Sequence, residues 1–322
     1  MAKIQFVARI DDVPYGDAVL VSPLIRRVIA ENPSKYTYRG TGTYIVGNGD
    51  VAVIDPGPIL DSHRLALERA LVGSRVVAIV ITHCHSDHSP LAEWLHETTG
   101  APTYGVGPHL ASAPDDDDDG AGDDDELVGD SLTAGVPVEI REDIDRNFVP
   151  TRIVRDGDTI IDTGEFELVA VTTPGHTSNH MCVALPQELA LFSGDHVMGW
   201  STTVVSPPDG DMRAYIDSLK KVQLREDAVI WPTHGGPITN PQTFLAQYLA
   251  HRLEREEQIV GCVRDGVSTI GEIVAQLYSE VPTTLHKAAG RSVLSHLIKL
   301  IEDGRVVTDG SRPRRKEVFA LA

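Results

Sequence analysis

The sequence predicts a protein of mixed helices and strands that gathers its chemistry along one sheet edge and carries a smaller helix-and-hairpin module after it. Three observations carry that expectation. Short β-rich runs alternate with segments of helical periodicity, the pattern of helices packed on sheets. Five strands are each followed directly by a turn bearing His or Asp. Near His251 the charge balance changes from strongly acidic to almost neutral.

Tyr44-Ile-Val-Gly, then Asn48-Gly49-Asp50, then Val51-Ala-Val-Ile54 reads as a hairpin closed by a tight turn. Val76-Val-Ala-Ile-Val-Ile81 is a continuous β-branched run, which predicts a strand buried on both faces. Pro90-Leu-Ala-Glu-Trp-Leu-His96 follows at helical spacing, with Pro at the start and Gly100 as the stop. Phe166–Val171, Leu189–Phe192 and Ala228–Trp231 predict further strands, and Arg213–Leu224 and Thr243–Arg264 predict helices. The five turns are Asp55-Pro-Gly57, Thr82-His-Cys-His-Ser-Asp-His88, Thr173-Pro-Gly-His176, Ser193-Gly-Asp195 and Pro232-Thr-His234-Gly. Strands ending in reactive residues build a site that a rigid scaffold can position.

At 322 residues the chain has room for one large or two ordinary domains, and 41% apolar with 23% charged content excludes wholesale disorder. Aromatic residues at 5% leave the core to Val, Ile, Leu and Ala. A net charge of −19 repels a polyanion on average, so nucleic acid starts as a disfavoured partner. Cys84, Cys182 and Cys262 are odd in number and far apart, which argues against a disulfide scaffold and suits a reducing cytosol. There is no run of 18 apolar residues, and Asp11-Asp12 precede any apolar signal region. The expectation is a cytoplasmic chain with no membrane span and no signal peptide.

The acidity is concentrated. Between Pro114 and Arg146 stand 14 acids and 2 bases, too dense in like charge to fold onto itself. This stretch reads as a solvated surface insertion, and it lacks the ligand spacing of a Ca²⁺ loop. From His251 to Ala322 the count is 11 bases and 10 acids, so a second module is expected over 251–322 after a larger unit over 1–250. In it, Ser268 reads as an N-cap with Glu272 in the first turn. Ile270, Ile273, Val274 and Leu277 form one apolar stripe, and Leu294, Leu297, Ile298, Leu300 and Ile301 a second, ended by Gly304. Arg305–Thr308 and Val318-Phe319 read as a hairpin whose tip, Arg312-Pro-Arg-Arg-Lys316, holds four bases. That tip either touches nucleic acid or packs the module against the rest of the chain or a dimer mate; the net charge favours packing.

His83-Cys84-His85-Ser86-Asp87-His88 places three imidazoles and a carboxylate within six residues, straight after a buried strand. Such ligands suit Zn²⁺, Fe or Mn²⁺. The alternation His83-x-His85 sends two side chains toward one metal, whereas Asp87 and His88 face another direction and can serve a second. His176, Asp195 and His234 at the other strand ends supply the remainder. His63, His96, His109, His251, His286 and His296 stand outside the cluster and read as ordinary core or surface residues. Cys84 faces away from its neighbours and reads as a small packing hydrophobe.

The H-x-H-x-D-H turn, with the Asp55-Pro-Gly, Pro-Gly-His, Gly-Asp and Thr-His-Gly turns, resembles the metallo-β-lactamase superfamily. More narrowly, Arg39-Gly-Thr-Gly-Thr-Tyr44, Thr173-Pro-Gly-His-Thr-Ser-Asn-His-Met181, Gly194-Asp-His-Val-Met-Gly199 and Thr202-Thr-Val resemble its β-lactamase-like-2 subgroup. The resemblance covers nearly the whole chain except the acidic insertion. It implies an α+β four-layer αββα sandwich with a dinuclear site on the sheets' shared edge, and a small C-terminal winged-helix-like domain. Position by position it implies that His83, His85 and His176 hold metal one, that Asp87, His88 and His234 hold metal two, and that Asp195 bridges. His180 and Asp55 are implied as supports that orient the ligands. The cofactor implied is two Zn²⁺ per chain, with Fe or Mn as alternatives. Two departures stand out: Gly42 where the subgroup commonly has Asn, and Asn179 where it commonly has an acid. Both positions are expected to line the substrate mouth.

A paired centre of this kind lowers the pKa of a shared water toward ~7. The expected activity is therefore hydrolysis of a carbonyl substrate, such as an ester, thioester, lactone or β-lactam, by a metal-bridging hydroxide. Asp87 is expected to orient that nucleophile or carry its proton to the leaving group. The alternative is a metal-dependent endoribonuclease cleaving single-stranded RNA, which the subgroup and the basic tip favour and the net charge opposes. A small-molecule substrate is the expected partner, with RNA the alternative, no membrane, and room for a homodimer.

Overall fold

Alternation along single strands shows how the chain divides into layers. The computed structural model describes residues 4–6, 14–109, 144–280, 283, 286–310 and 317–322. Its first sheet has seven strands in chain order: β1 (Val19–Leu20), β2 (Ile25–Ile29), β3 (Gly42–Val46), β4 (Asp50–Ile54), β5 (Arg75–Val80), β6 (Thr103–Gly105) and β7 (Arg152–Ile153). Strands β1 to β4 pair antiparallel and β4 to β7 parallel. Helices α1 (Asp61–Ala70) and α2 (Leu91–Thr99) make the crossovers that parallel pairing demands. The second sheet is ordered β12-β11-β10-β9-β8, from β8 (Thr159–Asp162), β9 (Glu167–Thr172), β10 (Met181–Leu185), β11 (Ala190–Gly194) and β12 (Val229–Pro232).

In β10, Met181, Val183 and Leu185 point into the space between the sheets, while Cys182 and Ala184 point outward onto helices. The inter-sheet core joins Tyr44, Ala52, Ile54, Ala78 and Val80 of the first sheet to Leu168, Ala170, Phe192 and Trp231 of the second. Tyr44 and Phe192 meet across it with ring centroids 5.0 Å apart. Full burial of a large apolar side chain such as Ile54, Val80, Leu168 or Phe192 contributes about 1.5–3 kcal/mol of transfer energy. The outer face of the first sheet, through Ile45, Val53, Ile79 and Ile81, is covered by Ala66, Leu67, Leu91 and Leu95 of α1 and α2. The outer face of the second is covered by α3 (Met212–Gln223) and the first half of α4 (Pro241–Arg264), through Tyr215, Ile216, Leu219, Phe244 and Tyr248. The layers are therefore αββα.

A separate core unites the far half of α4 (Ile259, Cys262, Val263) with α5 (Ile270–Leu277), α6 (His286–Glu302) and the hairpin β13 (Val306–Thr308) and β14 (Phe319–Leu321). This is the winged-helix module. Helix α4 runs unbroken past His251 and serves both cores, so a shared helix rather than a linker joins the two. One local expectation is corrected. The N-cap of α5 is Thr269, not Ser268: Thr269 and Glu272 exchange side-chain-to-backbone bonds as a capping box, which needs a spacing of three. Residues 114–143 of the acidic stretch and the basic tip 312–316 lie outside the described residues. Among the described residues no helix is long and apolar enough to cross a membrane.

Candidate metal centre

Neighbouring strand ends at one edge of the two facing sheets deliver seven donors. After β5 the chain turns tightly, His88 N–H donating to His85 C=O at 3.0 Å, so four donor side chains leave one short loop. After β9 the turn delivers His176, Gly194 of β11 is followed by Asp195, and β12 leads into His234. His83, His85, His176 and Asp195 place one donor atom each within 4.8 Å of one another, and so do Asp87, His88 and His234. Asp195 lies between the sets. Its Oδ2 is 3.8 Å from His176 Nε2, and its Oδ1 is 3.4 Å from His234 Nε2 and 3.7 Å from His88 Nε2. Asp87 Oδ2 closes the second set, 3.2 Å from His234 Nε2 and 3.4 Å from His88 Nε2. All seven residues are buried.

The groups around the cluster fix how each imidazole is protonated. His176 Nδ1 faces the carbonyl of Val204 at 2.7 Å and His234 Nδ1 that of Gly40 at 3.1 Å; a carbonyl only accepts, so both Nδ1 atoms carry hydrogen. His88 Nδ1 donates to Asp55 Oδ2 at 2.9 Å. Thr82 donates its hydroxyl proton to Asp55 Oδ2 at 2.7 Å, so it accepts from His83 Nδ1 at 3.0 Å. In the neutral ring, four histidines thus turn an Nε2 lone pair inward, the arrangement found around bound metals. His83 Nε2 and His176 Nε2 converge on His85 Nδ1 at 3.0 and 3.2 Å. His88 Nε2 and Asp195 Oδ1 are buried without a hydrogen-bond partner. Converging ring nitrogens and buried polar atoms without partners are costly by themselves and fit a site for divalent cations.

The electrostatics separate the two sets. Burial, with the charge of neighbouring histidines, pulls His83 well below the usual imidazole range and His85 down to about 3. Burial also lowers His176, against the pull of Asp195. In the second set burial is outweighed. Asp195 and Asp87 push His234 up to about 10, and Asp87, Asp195 and Asp55 hold His88 well above its ordinary value.

Asp55 and His180 both hydrogen-bond to residues of the cluster. Asp55, at φ +48°, receives His88, the Thr82 hydroxyl and, at 2.8 Å, the Thr82 N–H. His180 bonds Thr173 Oγ1 at 2.8 Å and accepts the N–H of Asp195 at 3.2 Å. Cys84 packs in the core under the first sheet, Asn179 donating to its sulfur at 2.9 Å. Asn179 also donates to Gly107 C=O at 3.1 Å and is buried, as is Gly42. Both side-chain donors of Asn179 are turned inward by these partners. The sequence did not single out Asn32, Thr41, Thr203 or the Gly40 and Val204 carbonyls. Gly40 and Thr41 fall within the Arg39–Tyr44 run, and Thr203 and Val204 within Thr202-Thr-Val, but neither run assigned them a role; Asn32 left no trace.

Residues 38–234 match the sequence model of the Metallo-beta-lactamase superfamily, and residues 269–315 that of the Beta-lactamase associated winged helix domain. Among curated relatives, an atrochrysone carboxyl ACP thioesterase of Aspergillus chevalieri is 31% identical over 91% of this chain and 86% of its own. A beta-lactamase-like protein 2 homolog of Caenorhabditis elegans is 29% identical over 89% of this chain and 87% of its own. Among solved structures, a beta-lactamase domain protein from Burkholderia ambifaria superposes with a TM-score of 0.75 at 23% identity, over 97% of this chain and 96% of its own. A metallo-beta-lactamase family protein from Thermus thermophilus gives 0.70 at 23%, over 94% and 100%.

Proposed function

The chain belongs to the metallo-beta-lactamase superfamily, and from that membership we propose that it is a dinuclear metal-dependent hydrolase of thioesters or related carbonyl compounds, with zinc as the metal. The observation that carries this is Asp195, whose two oxygens face two separate donor sets. His83, His85 and His176 would hold one ion, Asp87, His88 and His234 the other, and Asp195 would bridge. Bound there, two divalent ions would supply Lewis-acid activation of water and of an electrophilic carbonyl.

The chain's own residues do the rest. Asp55, Thr82 and the Gly40 and Val204 carbonyls hold the imidazoles in one tautomer and one orientation. Thr41 occupies Asp87 Oδ2 at 2.8 Å, which leaves Oδ1 as the oxygen that takes up a proton from the nucleophile and passes it to the leaving group. Trp200 stacks on Tyr38 with centroids 5.1 Å apart and packs against Gly235, next to His234. We assign this aromatic wall to the organic part of the substrate. The thioesterase name of the Aspergillus relative and the net charge of −19 both favour a carbonyl substrate over RNA.

The test is metal analysis of protein purified without added metal, then assay on esters, thioesters, lactones, β-lactams and a labelled RNA oligomer. Two equivalents of zinc with thioester turnover are expected. Salt-sensitive RNA cleavage without thioester turnover would replace the carbonyl substrate by RNA.

A further inference from the structure

One short loop, residues 32–41 between β2 and β3, reaches two ligands that the chain delivers from different sheets. At one end Thr41 Oγ1 donates to Asp87 Oδ2 at 2.8 Å. At the other, Gly40 C=O accepts from His234 Nδ1 at 3.1 Å. Asp87 follows β5 of the first sheet and His234 follows β12 of the second. Both belong to the same donor set.

The loop is itself locked. The Thr41 N–H donates to Asn32 Oδ1 at 2.9 Å, which fixes the amide so that Asn32 Nδ2 donates to Thr41 Oγ1, also at 2.9 Å. With one lone pair of its hydroxyl taken by Asn32, Thr41 has its proton directed at Asp87. Asn32 and Thr41 are each at most 1% exposed, so water does not compete for these bonds. Gly40 sits at φ +133°, and a Cβ there would stand 2.0 Å from the Ala30 carbonyl oxygen, so only glycine fits; its N–H donates to Thr37 C=O at 2.9 Å.

Within the first set the corresponding work is done elsewhere. His176 Nδ1 leans on Val204 C=O, and Thr203 Oγ1 donates to Asp195 C=O at 2.8 Å. Asp55 reaches both sets, through His88 and through Thr82 to His83, whereas the Asn32–Thr41 bonds reach the second set only.

We propose that Asn32 and Thr41 are positioning residues that clamp the second donor set alone, and so govern the occupancy of the second metal ion without touching substrate. This rests on the dinuclear reading above. Supports of this kind are worth about 10–100-fold in metal affinity.

The experiment titrates full-length, metal-depleted protein with zinc against a competing chelator, and repeats the loading with Co²⁺ to follow its absorption bands. Wild type is compared with Thr41→Val, Thr41→Ser and Asn32→Ala. Thr41→Val, which keeps the shape and loses the hydroxyl, is expected to bind the first equivalent as wild type does and the second about 10–100-fold more weakly. Thr41→Ser is expected to restore it. Asn32→Ala touches no ligand and is expected to weaken the same equivalent; it carries the test if Thr41→Val does not fold by thermal unfolding. Wild-type binding of both ions in the Thr41→Val and Asn32→Ala variants, an equal loss of both ions, or failure of Ser to restore the second would overturn the clamp. If wild type itself does not take two ions, the dinuclear reading fails first and the clamp with it.

Discussion

Asp55 and His88 meet at 2.9 Å, with both side chains almost wholly inside the protein. The same carboxylate accepts the hydroxyl of Thr82, which in turn receives His83 Nδ1. One carboxylate therefore aligns an imidazole of each donor set. Asp55→Ala should lower zinc affinity about 10–100-fold at both positions, the scale found when such a support is removed. A chelator-competition titration checks this. A variant with wild-type affinity would show that Asp55 serves folding alone.

Asp195 offers one oxygen to each set. Its loss should be felt by both ions, in contrast to the selective effect expected at Thr41. Asp195→Ala should leave purification with much less metal and little activity, measured by atomic emission and by thioester hydrolysis on the same sample. Retention of both would mean that it does not bridge.

The pH dependence of the metal-free chain follows from the opposite shifts of the two sets. His85, lowered by burial to about 3, stays neutral in the fold at pH values where the unfolded chain has protonated it. The folded state then binds fewer protons than the unfolded, so stability falls as pH drops below the ordinary 6.5 toward 3. His234, raised to about 10 by Asp195 and Asp87 against burial, contributes in the other sense. Its contribution is fully present below 6.5 and fades as pH rises through 10. A metal ion must displace the protons held by His234 and by His88, whose value is also raised. Loading both sites at pH 7 should therefore release about two protons. Calorimetry in buffers of different ionisation enthalpy reads that number, and a value near zero would contradict it.

The clustering of the seven donors was legible in the sequence because every one sits in a turn directly after a strand, and four of them lie between His83 and His88. Their division into two sets came from the resemblance, since alternation pairs His83 with His85 but by itself leaves Asp87 on the same side. Beyond Asp55 and His180, which the resemblance implied, the supporting groups were not legible. Thr41 and Asp87 are 46 residues apart, and Gly40 and His234 are 194 apart. Two of those supports, at Gly40 and Val204, are main-chain carbonyls, which any residue carries. The double role of α4 was hidden too. Its composition shifts near His251, yet helical periodicity does not report that a helix changes the core it serves. The cap of α5 was missed by one residue because Ser268 and Thr269 are both good caps, and only the reciprocal bond to Glu272 decides between them.

Gly175, directly before His176, ties the first donor set to the outer helix layer. Its φ is +138°, and a Cβ there would lie 2.3 Å from Tyr215 Cα and 2.4 Å from Tyr215 N, in the first turn of α3. The contact is reinforced by Asp211 N–H donating to Gly175 C=O at 2.9 Å and by Ser218 Oγ donating to Pro174 C=O at 2.8 Å. Neither backbone can yield alone: α3 is anchored through Tyr215 and Leu219 in the core, and the turn is anchored through His176 to Val204. Gly175→Ala must therefore displace the helix or the ligand. The expected cost is about 1–3 kcal/mol in unfolding free energy, from overpacking and an unfavourable φ together. Displacement of His176 would add a weaker first equivalent in the zinc titration, with the Asp87, His88 and His234 set less affected. Denaturant unfolding of the metal-free variant separates the two effects, because the helix shift persists without metal and the ligand shift is seen only in the affinity. Wild-type stability combined with wild-type affinity would show that the turn and α3 move apart at no cost, and that the helix layer does not set the position of His176.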